Sequence, residues 1–290
     1  MKLSVIIPTY RDWTRLTLCL NALAQQTFDN SQFEVIVANN DPSDMPPADF
    51  LTAYAFDCQI VEAHQKGSYA ARNVGAAIAK APVLCFTDAD CVPDSKWLER
   101  SFTQFSQPNS NTLLLSGDVV MFSEYRPDYQ YNFAESYDFF FGINQKEYAA
   151  RKVACTANLI MHMDVFNRVD GFNAELFSGG DVDFCSRAVN AGARFEFDDT
   201  CFVKHPLRDT FKALTIKSRR VIGARIKRQG YAKSIGTLLP PLYRIYKISG
   251  VSTVPWSLRL KGIASTFVIK VAQISEYLAL LFGLKKAENR

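Results

Sequence analysis

The sequence predicts an α/β protein whose strands form a doubly wound, mainly parallel sheet. In the first half of the chain, short apolar runs of strand length alternate with stretches of helical periodicity. Polar residues follow several of these runs directly, as expected where parallel strands end at a ligand-binding edge. With 290 residues, of which 48% are hydrophobic and 21% charged, the chain can bury a sizeable core.

Strands and helices alternate regularly in the first half. Residues 13–25 are predicted to form an amphipathic helix, because Leu16, Leu20 and Leu23 recur at helical spacing. The alanine-rich segment 68–81 is predicted as a second helix. The apolar runs predicted as strands are residues 3–10, 33–41, 58–63 and 82–88.

The second half is less regular. A helix is predicted over residues 179–192. Acidic residues lie in its first turn, where the helix dipole stabilises negative charge. An aromatic-rich stretch, residues 129–142, separates two predicted strands. The strands predicted here are residues 112–122, 152–162 and 193–205. The final helix is predicted to be amphipathic, with one apolar stripe formed by Phe267, Val271, Ile274, Leu278 and Leu281.

Charge is distributed unevenly along the chain. Residues 204–290 carry eighteen Lys and Arg against three acidic residues, a local net charge of +15, whereas residues 1–203 have a local net charge of −11. This asymmetry indicates that the two parts meet different partners. We expect residues 206–290 to contact an anionic membrane surface peripherally, or alternatively to pack as helices on the rest of the protein. No recognised nucleic-acid-binding module accompanies the charge, so nucleic acid is not an expected partner.

The expected location is cytoplasmic, on the inner face of the membrane where the basic region contacts it. Seven scattered cysteines without a CxxC pair argue against a disulfide framework and suit a reducing compartment. The sequence contains no uninterrupted run of 18 apolar residues, so it predicts no conventional transmembrane helix. The N-terminal segment has no small-residue cleavage site and is predicted to be a strand.

Two carboxylates, Asp88 and Asp90, directly follow the fourth predicted strand in the segment VLCFTDADCV. Neighbouring anions repel one another, so this spacing indicates a bound divalent cation such as Mn²⁺ or Mg²⁺, with a solvated acidic loop as the alternative. Neither a Walker loop nor a dinucleotide fingerprint is present. A metal would therefore serve to neutralise phosphate.

Seven motifs follow one another over about residues 3–205. They are SVIIPTYRD, QTF, FEVIVANNDPSD, GSYAARNVGAAIA, FTDADCVP, GGDVDFCSR and VKH. Their order resembles that of glycosyltransferase family 2, the inverting enzymes with the GT-A fold. The resemblance implies a hexosyltransferase-type enzyme that uses a nucleoside-diphosphate sugar and a saccharide or lipid-linked acceptor. Cell-envelope or exopolysaccharide biosynthesis is the family's usual context.

The resemblance also assigns roles to individual residues. Those assigned to the donor nucleotide are Pro8, Thr9, Tyr10, Asn40, Arg72 and Asp88. The assigned metal ligands are Asp88, Asp90 and His205. Asp181 occupies the position of the catalytic base, which takes the proton of the attacking acceptor hydroxyl.

Three departures from the family pattern bear on these roles. Asn39 and Asn40 replace an acidic pair, and since an amide both donates and accepts hydrogen bonds, the residues leave uridine, guanosine and thymidine all open as the donor nucleoside. Gly180 stands where the family usually has Glu, which leaves Asp183 as an alternative base to the preferred Asp181. The tryptophan motif of processive synthases is missing, which favours transfer of single sugars.

The predicted organisation is a GT-A catalytic domain over residues 1–205, followed by a basic, helical region over residues 206–290. Within the catalytic domain, residues 1–95 form a Rossmann-like nucleotide-sugar-binding half and residues 96–205 an acceptor half. Two other functions remain open. One is a haloacid-dehalogenase-like phosphotransferase that uses Asp88 as nucleophile and Asp90 as acid/base. The other is a non-catalytic protein that binds sugar nucleotides or glycans.

Overall fold

The strand β1 (Leu3–Thr9) lies inside a parallel sheet in the computed structural model, which describes residues 1–286. It pairs in parallel with β2 (Phe33–Asn39) on one side and with β4 (Val83–Thr87) on the other. β3 (Asp57–Glu62) extends the sheet beyond β2, also in parallel. Almost every residue of β1, β2 and β4 is buried, because helices cover both faces of such a sheet, and this explains the continuous apolar runs.

The rest of the sheet is antiparallel. Its strands are β5 (Val92–Pro93), β6 (Leu113–Phe122), β7 (Asn158–His162) and β8 (Arg194–Pro206). β7 pairs antiparallel with β4 and with β6, and β5 pairs antiparallel with β8. Within residues 1–286 the strand order is β3-β2-β1-β4-β7-β6-β8-β5. The α/β prediction is confirmed, and the predicted parallel pairing is found in the N-terminal half of the sheet.

The α-helices of residues 1–286 are α1 (Trp13–Ala24), α2 (Ser68–Ala77), α3 (Trp97–Phe105), α4 (Phe133–Phe141), α5 (Gln145–Ala149), α6 (Met163–Arg168), α7 (Gly180–Asn190), α8 (Phe211–Ser234), α9 (Leu242–Ser249) and α10 (Trp256–Leu281). α2 ends four residues before its predicted end. The backbone N–H groups of Lys80 and Ala81 instead donate to the side chains of Glu34 and Ser4, which hold this segment as a loop against the sheet.

The predicted strand over residues 152–162 is wrong in its first half, since β7 begins only at Asn158. The buried side chain of Asn158 explains this limit. Its Nδ2 donates to the carbonyl groups of Asp118 and Cys201, both at 2.9 Å, and its Oδ1 accepts from Trp97 Nε1 at 2.9 Å. One side chain thereby links β7 to β6, β8 and α3.

The chain forms two compact units. One contains residues 1–120 and 144–205, and the other contains residues 121–143 together with the chain from Pro206 onwards. The sequence-based division put residues 121–143 in the acceptor half, whereas here their helix α4 packs against α10. The last four residues of the predicted C-terminal region, 287–290, lie outside the described residues.

In the second unit, α10 packs against α4, α8 and α9. Gly262 on α10 allows close approach, because a Cβ there would lie 2.7 Å from Cδ2 of Phe140 on α4. By length and composition, α10 is a helix that could cross a membrane, and a third of its apolar window is buried within the protein. The sequence reasoning did not predict such a helix, because Lys and Glu residues interrupt the apolar runs of α10.

Candidate active site

Three side chains with metal-binding atoms meet at the carboxyl end of β4. Asp88 and Asp90 follow this strand, and His205 lies on β8. One ligand atom from each lies within 4.8 Å of the other two, and His205 Nε2 is 3.6 Å from Asp90 Oδ1. The structure therefore brings together the three residues that were predicted as metal ligands.

The pairing of β5 with β8 produces this cluster. Val92 on β5 lies opposite Lys204 on β8, so the chain around Asp90 runs beside the buried His205. The neighbouring Cys91 is unsuited as a ligand, because burial raises the pKa of its thiol well above the ordinary value and keeps the thiol protonated.

The chemistry of these three side chains suits a divalent cation. Two carboxylates supply the hard oxygen ligands that Mg²⁺ and Mn²⁺ prefer, and the imidazole adds a nitrogen donor. The side chains of Asp88 and Asp90 are each 29% exposed. This partial exposure leaves the cluster accessible to the phosphate oxygens of a ligand.

Arg72 connects the cluster to helix α2. Its guanidinium forms an ion pair with Asp88 and lies 5.5 Å from the centre of the Tyr69 ring. The side chain is buried, and its Nε has no hydrogen-bond partner within residues 1–286. A buried arginine with donor capacity left over, beside a candidate metal site, is suited to hold a phosphate group.

The first turn of α7 carries the candidate base. Burial raises the pKa of Asp181, while the Val182 N–H, at 2.9 Å from Oδ1, and the charge of Arg72 oppose this rise. Asp183, the alternative base, forms an ion pair with Arg187 one turn along the helix, with Nε and Oδ2 2.9 Å apart. The pairing of Asp183 favours Asp181 as the base.

Tyr69 is a site residue that the sequence reasoning missed. Burial and the charge of the nearby Asp181 carboxylate raise the pKa of the Tyr69 hydroxyl. Its ring packs against Gly180, the position that departs from the family pattern. That departure was the one signal in the sequence that could have pointed to it.

The residues predicted to line the nucleoside pocket lie at the end of β1. Pro8 is half-buried, Thr9 is buried and Tyr10 is exposed. The Oγ1 atom of Thr9 has no hydrogen-bond partner within the described part of the chain, so it is available to a ligand. Arg11, to which the sequence reasoning assigned no role, lies over the Tyr10 ring and forms an ion pair with Asp41.

Asn40 organises the loop that leads into α2. Its Nδ2 donates to the carbonyl groups of Ala63 and Gln65, at 2.9 and 2.7 Å, and its Oδ1 accepts from the Gly67 N–H at 2.7 Å. Asn39 is likewise bonded to the backbone of the following turn. These contacts use both amide hydrogens of Asn40, leaving one lone pair of Oδ1 for a base.

Comparison with known proteins identifies the family that the chain resembles. A family model described as glycosyl transferase family 2 matches residues 4–170. A curated relative, glycosyltransferase AglE from Haloferax volcanii, is 37% identical over 222 residues, which cover 75% of this chain and 71% of the relative.

Solved structures confirm the predicted GT-A fold. The mannosyltransferase PcManGT from Pyrobaculum calidifontis, in complex with GDP-Man and Mn²⁺, has a TM-score of 0.63 and 15% identity, covering 98% of this chain and 88% of that protein. Residues 1–349 of S. aureus TarS in complex with UDP have a TM-score of 0.56 and 17% identity, covering 98% of this chain and 92% of that one. In a second, longer structure of TarS, this chain matches 54% of the length of the TarS chain.

Proposed function

This chain belongs to glycosyltransferase family 2, and from that membership we propose that it transfers a single sugar, with inversion, from a nucleoside-diphosphate sugar to a saccharide or lipid-linked acceptor. It is a glycosyltransferase of glycan biosynthesis. The observation that carries the finer proposal is the cluster of Asp88, Asp90 and His205 at the carboxyl edge of the sheet.

The proposed chemistry divides between two sets of side chains. Asp181 accepts the proton of the acceptor hydroxyl as that oxygen attacks the anomeric carbon, a role typically worth about 10²–10⁴-fold in rate. Arg72 holds the diphosphate and stabilises the charge that develops as it leaves. Asp88, Asp90 and His205 would hold a divalent cation, which when bound supplies further positive charge at the leaving group.

The proposed donor pocket lies beside this cluster. Pro8, Thr9 and Tyr10 would contact the nucleoside, and Asn40 would present its remaining Oδ1 lone pair to the base. Two structural neighbours bind UDP and GDP-Man, respectively. These neighbours support a nucleoside-diphosphate sugar as the donor class and leave both uridine and guanosine as candidate bases.

A thermal-shift screen of UDP-, GDP- and dTDP-sugars, each with Mn²⁺ or Mg²⁺, tests the donor class. A ligand at 100 times its dissociation constant should stabilise the fold by about 2.7 kcal/mol. We expect one base to produce a metal-dependent rise in Tm. If no sugar nucleotide raises Tm with either metal, the proposed donor class is wrong.

Substitution of the base tests the reaction. Asp181→Asn should lower transfer by about 10²-fold or more while leaving donor binding unchanged. The matched control is Asp183→Asn, which changes the neighbouring carboxylate on the same helix and should retain transfer. Loss of donor affinity in Asp181→Asn, or equal loss of transfer in both variants, contradicts the assignment.

Neither alternative function gains support. Asp88 follows the fourth strand of the chain, whereas the phosphotransferase motif usually follows the first strand of its fold. Metal-dependent release of nucleoside diphosphate from the donor would further exclude a protein that only binds it.

We also propose that the second unit rests on an anionic membrane surface, on the cytoplasmic side. α8 carries eight Lys or Arg residues and no acidic residue. The predicted apolar stripe of α10 faces outward, with Val271 68% exposed, and Phe282 and Leu284 extend it past the helix end. An apolar face exposed next to basic helices matches an anionic lipid surface in both chemistry and charge.

Two features favour a helix lying in the interface over one that crosses the bilayer. α10 packs along α8, whose charged side chains are too costly to bury in hydrocarbon. The short helix α9 exposes Tyr243 and Tyr246, which are directly followed by the basic residues Arg244 and Lys247, respectively, a composition typical of interfacial segments.

Vesicle flotation tests this contact. The protein should bind phosphatidylcholine vesicles containing phosphatidylserine and bind pure phosphatidylcholine weakly. Lys227→Glu with Arg228→Glu should reduce binding to the anionic vesicles, and Val271→Glu should reduce it as well. Leu18→Glu, on the exposed surface of α1, serves as control. Equal binding to both vesicle types contradicts the electrostatic part of the proposal.

A further inference from the structure

The Tyr69 ring fills the space that a side chain at position 180 would occupy. A Cβ at position 180 would lie 2.6 Å from Cε2 and 2.9 Å from Cζ of the tyrosine, distances that no real side chain adopts. The tyrosine is 6% exposed and packs against Phe172, with ring centroids 5.7 Å apart. The ring therefore has a fixed position, and a residue larger than glycine at position 180 would displace it.

The ring packs against Gly180, the residue directly before Asp181 in the first turn of α7, so the Tyr69 hydroxyl lies near the Asp181 carboxylate. Burial and the nearby carboxylate both raise the pKa of Tyr69, so the hydroxyl stays protonated and is able to donate. The other titratable groups facing Asp181 are Arg72 on α2, Tyr148 on α5 and Cys185 on α7. Of these four groups, Tyr69 is the one whose ring packs against Gly180, the residue directly before Asp181.

The same helix face connects this contact to the metal cluster. Tyr69 and Arg72 are three residues apart on α2 and therefore lie on one face. Arg72 lies over the Tyr69 ring and pairs with Asp88. One helical turn thus supports the candidate base on one side and a candidate metal ligand on the other.

We propose that Tyr69 is a positioning residue for the catalytic base: its hydroxyl donates to the Asp181 carboxylate, fixes its orientation and favours its ionised form, and Gly180 provides the space. This inference rests on the proposed function, in which Asp181 accepts the proton of the acceptor hydroxyl. It also accounts for glycine at a position where the family usually has Glu, because a Glu side chain and this ring cannot occupy the same volume.

Tyr69→Phe tests the proposal, because it keeps the ring and removes only the hydroxyl. We expect kcat to fall about tenfold, corresponding to loss of one hydrogen bond to a charged group. The KM for the donor should stay unchanged, and the acidic limb of the kcat profile should move to higher pH. The control is Tyr148→Phe, which removes a second hydroxyl near Asp181 and should leave kcat and the pH profile unchanged.

A second variant tests whether a folding defect, and not the lost contact with Asp181, lowers kcat. Gly180→Ala retains the hydroxyl but displaces the ring, and it should reproduce the fall in kcat. The donor-induced thermal shift of Tyr69→Phe, which keeps the ring beneath Arg72, should equal that of the wild type. If Tyr69→Phe keeps the wild-type kcat and pH profile, the proposal is overturned.

Comparison with Asp181→Asn separates this inference from the proposed function. If Asp181 is the base, adding Tyr69→Phe to Asp181→Asn should not lower the residual rate further. A further tenfold fall in the double variant would show that Tyr69 acts independently of Asp181, and it would overturn the positioning role. If Asp181→Asn itself retains full transfer, the base assignment fails, and the inference fails with it.

Discussion

At the residue scale, Arg72 is the group on which the geometry of the site depends. Its guanidinium is almost fully buried, and Asp88 provides the compensating charge. Breaking a buried pair costs about 3–5 kcal/mol, whereas an exposed pair contributes about 1 kcal/mol or less. Because Asp88 is partly exposed, the free energy that its ion pair with Arg72 contributes to stability falls between these limits. The same contact therefore contributes to stability and orients a donor-binding group.

The raised pKa of Asp181 predicts the pH dependence of transfer. The base works only when ionised, so the rate falls as the pH decreases through this pKa. Because burial raises the pKa of Asp181, we expect the acidic limb of kcat/KM to lie at higher pH than for an exposed aspartate, whose pKa is about 3.9. A pH–rate profile measures this limb. A limb at or below the ordinary value would contradict the assignment.

The same shift predicts an effect on stability. A carboxyl group whose pKa is raised by folding binds protons more tightly in the folded state, so its ionisation at neutral pH opposes folding. Asp181→Asn should therefore be at least as stable as the wild type near pH 7, although it is inactive. Thermal unfolding at neutral pH checks this expectation, and a clear loss of Tm would mean that the ionised carboxylate is a structural partner.

Asp90→Asn tests the metal cluster. It removes one of two neighbouring negative charges, so the protein without metal should be no less stable, while the rise in Tm on adding Mn²⁺ should be lost. Asp49→Asn, which changes an exposed carboxylate outside the cluster, is the control and should retain the metal response. An undiminished response in Asp90→Asn would exclude Asp90 as a ligand.

At the scale of secondary-structure elements, close packing between strands positions the site. Asn158 on β7 bonds to the backbone of β6 and β8, and β8 carries His205. Gly117 on β6 makes this arrangement possible, because a Cβ there would lie 2.2 Å from the Cys201 carbonyl oxygen and 2.3 Å from Asn158 Nδ2. The position of His205 thus depends on a glycine far from it in the sequence.

Gly117→Ala should therefore affect both stability and metal binding. Overpacking of this kind costs about 1–3 kcal/mol, and the shift of β8 should weaken the metal-induced rise in Tm. Gly236→Ala is a matched control, because a Cβ at Gly236 meets no atom within 4 Å and should leave both properties unchanged. Unfolding curves with and without Mn²⁺ measure both effects. Equal stability of the two variants would contradict this account of the packing.

At the scale of the whole molecule, the second unit is assembled from two separate parts of the chain. Helix α4 comes from residues 121–143, yet its apolar side chains Ala134 and Tyr137 are buried in a cluster with Leu214 on α8 and Ile269 on α10. The C-terminal helices therefore complete a core that begins inside the family 2 domain.

This assembly predicts the result of truncation. A chain ending at residue 205 would expose the apolar face of α4, so we expect it to aggregate and to bind a hydrophobic dye such as ANS. Size-exclusion chromatography beside the full chain measures the effect. A monomeric truncated protein that retains donor binding would show that α4 needs no C-terminal partner. For this reason, charge-reversal variants of the full chain test membrane contact better than truncation does.

The sequence by itself determined the parallel strands with their helices and the family motifs, because apolar runs and helical spacing are local properties. It also predicted Asp88, Asp90 and His205 as a group through the order of those motifs. Local pattern could not determine the antiparallel insertion of β7, because that depends on Asn158 bonding to residues 40 and 43 positions away.

Only the tertiary structure decided three further points. It showed that the predicted stripe on α10 faces outward, since periodicity marks an apolar face without saying what covers it. It grouped α4 with the C-terminal helices. It also related Gly180 to Tyr69, residues more than one hundred positions apart whose connection is a shared volume. Volume exclusion between distant residues has no signature in a single sequence, because it exists only once the chain is folded.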